Sequence, residues 1–257
     1  MKIVAIVQAR MGSARLPGKT LMEISGKPML EHVIDRVKQA STIEHIVIAT
    51  TTQDEDLKIV ELANKLGVDV YTGSEDDVLD RYVKVAEKVK ADIIVRVTGD
   101  CPLIAPSVID EMVQYHLKTR SEYTGNAATR SFPRGLDIEV MTFAAIKKAH
   151  ELSTSRHHRE HVTSFIYENP NMFKIENLKA SGALCAPEFR LCVDTKEDLA
   201  LIRRIYEEFY LPDGFVQIEA VIEFLRSNPE LANINIASEK EHVSRNLEEG
   251  IKQRFVK

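Results

Sequence analysis

The apolar run Ile3-Val4-Ala5-Ile6-Val7 empties directly into Gln8-Ala9-Arg10-Met11-Gly12-Ser13-Ala14-Arg15-Leu16-Pro17-Gly18-Lys19, and this junction constrains the fold more than any other stretch. An apolar run without alternation reads as a strand buried on both faces, the pattern of a parallel sheet covered by helices. The loop after it carries Arg10, Arg15 and Lys19 beside Gly12 and Gly18, so cations and bare backbone amides arrive at one place. In α/β sheets ligands bind beyond the carboxyl ends of the strands. The partner that suits such a loop is a polyphosphate, gripped by Arg, Lys and main-chain N–H groups.

Gly12 followed by Gly18-Lys19-Thr20 approximates the Walker A loop, G-x-x-x-x-G-K-[ST]. The spacing excludes it, because Ser13 to Pro17 put five residues between the glycines where that loop has four. A Walker loop also runs straight into a helix, whereas Ile24-Ser25-Gly26-Lys27-Pro28 breaks this chain within a few residues.

The stretch resembles the cytidylyltransferase branch of the nucleotide-diphospho-sugar transferase superfamily. Its signature A-R-x-x-S-x-R-L-P-x-K is matched by Ala9-Arg10, Ser13, Arg15-Leu16-Pro17 and Lys19, and Gly26-Lys27-Pro28-Met29 continues the match. That family includes the enzymes that make CMP-activated acidic sugars and the spore-coat polysaccharide biosynthesis proteins. Thr98-Gly99-Asp100-Cys101-Pro102 resembles its G-D-x-P loop, and Val193-Asp194-Thr195-Lys196-Glu197-Asp198-Leu199 its V-D-T-x-x-D-L segment. Gly135-Leu136-Asp137-Ile138-Glu139-Val140 and Arg159-Glu160-His161-Val162-Thr163 resemble the spore-coat branch in particular. The resemblance implies a three-layer, Rossmann-like α/β sandwich around a mostly parallel sheet. It implies one nucleotidyltransferase domain over residues 1–257, with a lobe at about 118–186 for the sugar pocket and dimer contact.

Composition narrows the classes of partner. A chain of 257 residues with 44% hydrophobic content holds a sizeable core, in one large α/β domain or in a domain with a small appendage. The net charge of −5 excludes a broad basic surface for nucleic acid, so the positive charge of the opening loop is local, as a small anionic ligand requires. No apolar run approaches the roughly 20 residues of a membrane span. Met1-Lys2-Ile3 enters a strand at once, leaving no room for a signal peptide, and Cys101, Cys185 and Cys192 show no metal-ligand spacing. A reduced cytoplasm is the expected setting.

Periodicity predicts helices over residues 28–40, 55–66, 105–117, 155–168 and 217–226, with two more opening after Asp77 and at Thr195. Further strands are expected over 46–50, 68–71, 93–97, 136–141 and 173–180, with one more closed by Asp194. The alternation over 136–141 puts Asp137 and Glu139 on one face, open to metal, sugar hydroxyls or solvent. His157 and His161 have the i, i+4 spacing of a zinc pair, but the order is not H-E-x-x-H and two arginines lie alongside. The residues from Ser238 onward read as a charged tail, solvated or packed on a partner.

The resemblance also implies roles. Ala9, Arg10, Gly12, Ser13 and Gly99 would border the nucleotide, with Arg15 and Lys19 on its β- and γ-phosphates. Ser74, Asp77 and Arg81 would meet base and ribose, although Asp77 equally suits a helix N-terminus. Asp100 and Asp194 would hold Mg²⁺, a hard cation that prefers oxygen ligands, Asp194 having the alternative of a helix cap. Asp137, Glu139, Arg159 and His161 would line the sugar side. Thr98 stands where members acting on one acidic sugar often carry Gln, which leaves the acceptor open. Cys101 has no activating neighbour in its loop and reads as a packing residue.

The expected activity is transfer of CMP from CTP to a sugar acceptor, a sugar acid first, with release of pyrophosphate, in a homodimer paired through residues 135–169. Transfer to a sugar phosphate is the alternative acceptor chemistry. A glycosyltransferase would present a D-x-D motif at a strand exit, whereas Glu75-Asp76-Asp77 sits at a helix start. A silent binding subunit would not need Arg15, Lys19, Asp100 and Asp194 together.

Overall fold

Alternation along the first strand decides the architecture. Ile3, Ala5 and Val7 enter one apolar core and Val4 and Ile6 the other, so both faces of the strand are dry. A fully buried aliphatic side chain contributes about 1.5–3 kcal/mol, which is why polar residues are absent from this run. The computed structural model describes residues 1–211 and 215–238; the tail expected from Ser238 onward lies outside them after its first residue.

In chain order the elements are β1 (Ile3–Gln8), the two-residue strands β2 (Glu23–Ile24) and β3 (Lys27–Pro28), α1 (Met29–Val37), β4 (His45–Thr51), α2 (Leu57–Leu66), β5 (Asp69–Gly73), α3 (Val78–Val89), β6 (Ile93–Thr98), α4 (Pro106–Thr119), β7 (Tyr123–Gly125), β8 (Glu139–Thr142), α5 (Phe143–Leu152), α6 (Arg156–Glu160), α7 (Ser164–Glu168), β9 (Ile175–Asn177), α8 (Lys196–Phe209), α9 (Ile218–Ser227) and α10 (Pro229–Ala232). Seven strands form one sheet in the order β5-β4-β1-β6-β8-β7-β9. β1 is parallel to β4 and β6, β4 is parallel to β5, and β8 runs antiparallel between β6 and β7. Leu30, Ile109, Ile202 and Val221 bring α1, α4, α8 and α9 onto one face, and Tyr82 and Ile146 bring α3 and α5 onto the other. The result is the expected three-layer α/β sandwich. Residues 118–186 add β7, β8 and β9 to this same sheet, and their apolar side chains divide between the same two cores, Phe132 and Ile138 in one, Tyr123 and Met141 in the other.

Three expectations are corrected. The helix over 155–168 is broken into α6 and α7, because Val162 adopts φ 51 between them. A β-branched residue pays of order 1–3 kcal/mol for that conformation. The turn offsets it by burying Val162 completely and by swinging the Thr163 hydroxyl onto Glu139 at 2.7 Å. The strand over 136–141 begins only at Glu139. Its alternation is right about faces, since Leu136, Ile138 and Val140 are all buried, but the Asn126 side chain replaces a strand partner, donating to the Leu136 carbonyl at 2.8 Å and accepting from Ile138 N–H at 3.0 Å. Asp194 does not close a strand: the extended chain before it makes a single parallel bridge, Arg134 to Arg190.

Candidate active site

The loop after β1 is held rigidly before any ligand arrives. The Met11 N–H donates to the Asp56 carboxylate at 2.7 Å, the Thr20 hydroxyl donates to the Arg10 carbonyl at 2.7 Å, and Leu16 is buried. Gly18 takes φ 73, a left-handed turn that favours glycine, and returns its N–H to the Met11 carbonyl at 3.0 Å. At the end of the adjacent β6, the Gly99 N–H donates to the Gln8 carbonyl at 2.9 Å. A Cβ on Gly99 would lie 3.0 Å from that carbonyl oxygen and 3.1 Å from the Ala9 side chain, so only glycine brings the two loops this close.

The third segment arrives from far along the chain. The Val193 N–H donates to the Asp100 carbonyl at 2.9 Å, which sets Asp194 beside Asp100. Thr195 then caps α8 with a capping box completed by Asp198. Lys19 closes the arrangement. Its ammonium donates to Asp100 at 2.7 Å, to Asp194 at 2.8 Å and to the Val193 carbonyl at 2.8 Å. Arg15 lies 3.0 Å from the other oxygen of Asp194.

These contacts set the charge states. Burial works against the Lys19 ammonium, yet the two carboxylates outweigh it and hold its pKa above the ordinary value. Burial likewise opposes ionisation of Asp100 and Asp194, and the Lys19 charge reverses the balance, so both are held below the usual carboxylate range. Burial pushes the Cys101 thiol well up and Asp100 adds to it, so this sulfur stays protonated and packs against the Thr98 hydroxyl at 3.2 Å.

The three segments floor a cleft of about 530 Å³. Of the residues marked out by sequence, Ala9, Arg10, Ser13, Arg15, Lys19, Arg81, Gly99, Asp100, His161 and Asp194 line it. Others are placed elsewhere. Ser74 accepts from Asp77 N–H, and Asp77 caps α3 through Asp80 N–H at 2.9 Å while receiving Arg159 at 3.3 Å. Arg159 also donates to the carbonyls of His150 and Ser153, tying α6 to the end of α5. Asp137 pairs with Arg130 at 2.7 Å. Glu139 was expected on an open face; the sheet is covered on that face, and Glu139 is enclosed by Arg96, Tyr123 and Thr163. Gly12 shapes the loop without lining the cleft.

Sequence reading missed Gln8, Thr20 and Glu160, all in the lining, and Asp56, a buried carboxylate that braces the loop. It also missed that Arg81 is only 3% exposed with Nε and Nη1 lacking a hydrogen-bond partner among the described residues. Burial pulls the Arg81 pKa down, and two buried donor nitrogens without an acceptor are an unmet hydrogen-bonding demand beside the cleft.

The facing carboxylates also suit a hard divalent cation. Asp100 and Asp194 already bracket a cation, the Lys19 ammonium, with oxygen donors only. Two carboxylates, with the remaining positions left to substrate oxygens and water, is the way Mg²⁺ is commonly held. Among the described residues no group of three or more His, Cys, Asp or Glu is placed to hold a metal, so the remaining donors would have to come from outside the protein.

A family model described as cytidylyltransferase matches residues 4–215. The spore coat polysaccharide biosynthesis protein SpsF of Bacillus subtilis is 36% identical over 236 residues, 90% of this chain and 96% of that protein. The 3-deoxy-manno-octulosonate cytidylyltransferase of Geobacter metallireducens is 42% identical over 115 residues, 44% of each chain. Among solved structures, a cytidylyltransferase from Leptospira borgpetersenii superposes with a TM-score of 0.85 at 35% identity, covering 90% of this chain and 97% of that one.

Proposed function

Since the chain belongs to the cytidylyltransferase family, we propose that it transfers CMP from CTP to a sugar acid in a magnesium-dependent reaction that releases pyrophosphate. The observation that carries this is the meeting of Arg15, Lys19, Asp100 and Asp194, from three distant segments, in one cleft. An acceptor hydroxyl attacks the α-phosphorus of CTP, a P–O bond forms, the α–β bridging bond breaks, and the hydroxyl proton passes to solvent. Such transfers depend on positioning and charge neutralisation more than on covalent help. Arg10, Arg15 and Lys19 face the triphosphate. Mg²⁺ on Asp100 and Asp194 would neutralise charge on the reacting phosphates.

Arg81 supports cytosine as the base. Arg81 lines the cleft, and a guanidinium, which only donates, suits the O2 and N3 acceptors of cytosine, whereas uracil carries a donor at N3. CTP should therefore raise the melting temperature more than UTP, ATP or GTP, and equal stabilisation by UTP would overturn the base assignment. Asp100→Asn should lower magnesium-dependent pyrophosphate release by about 10²–10³ with the fold intact, by analogy with the loss of one electrostatic partner of a transition state. Unchanged turnover would remove Asp100 from the chemistry. The spore-coat relative supports a place in polysaccharide biosynthesis, where a CMP-activated sugar acid would serve as a glycosyl donor.

A further inference from the structure

Gln8, the last residue of β1, lines the cleft with one end of its side chain already committed. Its Oε1 accepts from Arg96 Nε at 3.1 Å and from the Tyr82 hydroxyl at 3.0 Å. A guanidinium only donates, so turning the amide over would set its NH₂ against a cation. Arg96 is itself fixed, paired with Glu139, which also accepts from the Tyr123 and Thr163 hydroxyls. The chain Glu139–Arg96–Gln8 therefore runs from β8 across one face of the sheet to the cleft floor and holds the amide one way round. The Nε2 end makes no hydrogen bond among the described residues.

We infer that Gln8 is a specificity-determining residue of this site, its two amide hydrogens taking the carboxylate of the acceptor sugar acid. The inference rests on the transfer reading above and adds the group that reads the acceptor. Its first support is position. Gln8 stands in register with Thr98, one residue before Gly99-Asp100, while the cations Arg10, Arg15 and Lys19 are provided for the phosphates and Arg81 for the base. Its second support is the fixed orientation. A sugar hydroxyl can donate or accept and would be satisfied by either end of an amide. Only an acceptor-only atom, such as a carboxylate oxygen, makes it matter that the NH₂ end is outward. Glu139, expected among the sugar contacts, thus acts on the acceptor indirectly, as a positioning residue.

The test compares wild type with Gln8→Leu and Gln8→Glu, using 3-deoxy-manno-octulosonate, N-acetylneuraminate and glucuronate as acceptors and pyrophosphate release as readout. Gln8→Glu keeps Arg96 and Tyr82 satisfied but turns a carboxylate oxygen to the cleft. Loss of a hydrogen bond to a charged group is worth about 10- to 100-fold in affinity. The KM for the sugar acid that wild type uses should rise by that factor in Gln8→Leu and further in Gln8→Glu. The dissociation constant for CTP, measured calorimetrically, should stay within about twofold. An unchanged acceptor KM in Gln8→Leu overturns the inference. Turnover of none of the three sugar acids by a chain that binds CTP overturns the carboxylate assignment. Failure to bind CTP at all overturns instead the transfer reading beneath it.

Discussion

Asp194 and Asp198 lie one helical turn apart and share Arg190, yet they sit in two different kinds of region. Asp198 is completely buried and saturated. It accepts from Arg190 Nε at 2.9 Å, from Asn235 at 2.8 Å and from the backbone N–H groups of Asp194 and Thr195 at 2.9 and 3.0 Å. All of its partners are protein, and it fixes the turn that opens α8. Asp194 has a side chain 17% exposed in the cleft, held by Arg190 at 2.7 Å, Arg15 at 3.0 Å and Lys19 at 2.8 Å. Arg15 and Lys19 line the cleft and can exchange Asp194 for a ligand. A carboxylate whose partners are all internal stabilises the fold; one whose partners face a cleft is available for chemistry.

Two substitutions test that division. Asp198→Asn should be the larger, because breaking a buried ion pair leaves a charge without compensation and costs about 3–5 kcal/mol. For a chain of this size the melting temperature should fall by roughly 10 °C, read by circular dichroism. A fall of less than about 2 °C would erase the distinction. Asp194→Asn should melt much nearer to wild type while pyrophosphate release drops by about 10²–10³. If Asp194→Asn is instead the less stable of the two and retains turnover, the roles are reversed.

The same contrast explains what was legible in the sequence. Lys19, Asp100 and Asp194 each stand in a local motif, so their meeting could be expected from three short stretches. Asp198 belongs to a capping box, a local pattern four residues long from Thr195 to Asp198. The relay through Arg96, Glu139 and Gln8 was not legible, because it joins three strands through side chains on one sheet face and no spacing encodes it. Alternation over 136–141 gave the faces correctly but could not reveal that the face of Glu139 is covered by helices. The run 155–168 has helical period throughout, and nothing in a period marks the left-handed turn at Val162. Arg81 was singled out by its loop, while the significance of its unpaired donors came only from burial.

Lys19 offers the subtlest probe, since it is the cleft's own counter-ion. Its three N–H bonds are all used, on Asp100, Asp194 and the Val193 carbonyl, so it cannot grip a phosphate without releasing at least one of them. A divalent cation seeking the same two carboxylates must displace it. Under the proposed reaction the two events favour each other: the triphosphate draws Lys19 away, and the cation takes the oxygens it leaves. That is positive coupling, and it is reciprocal. Lys19→Met should therefore bind Mn²⁺, followed by electron paramagnetic resonance without nucleotide, on the order of tenfold more tightly than wild type, about the value of one charge-assisted hydrogen bond. The same variant should lose turnover, because the ammonium that faces the phosphates is gone. Mn²⁺ affinity equal to or weaker than wild type would show that the ammonium does not compete for the carboxylates, and Asp194 would then be as closed a group as Asp198.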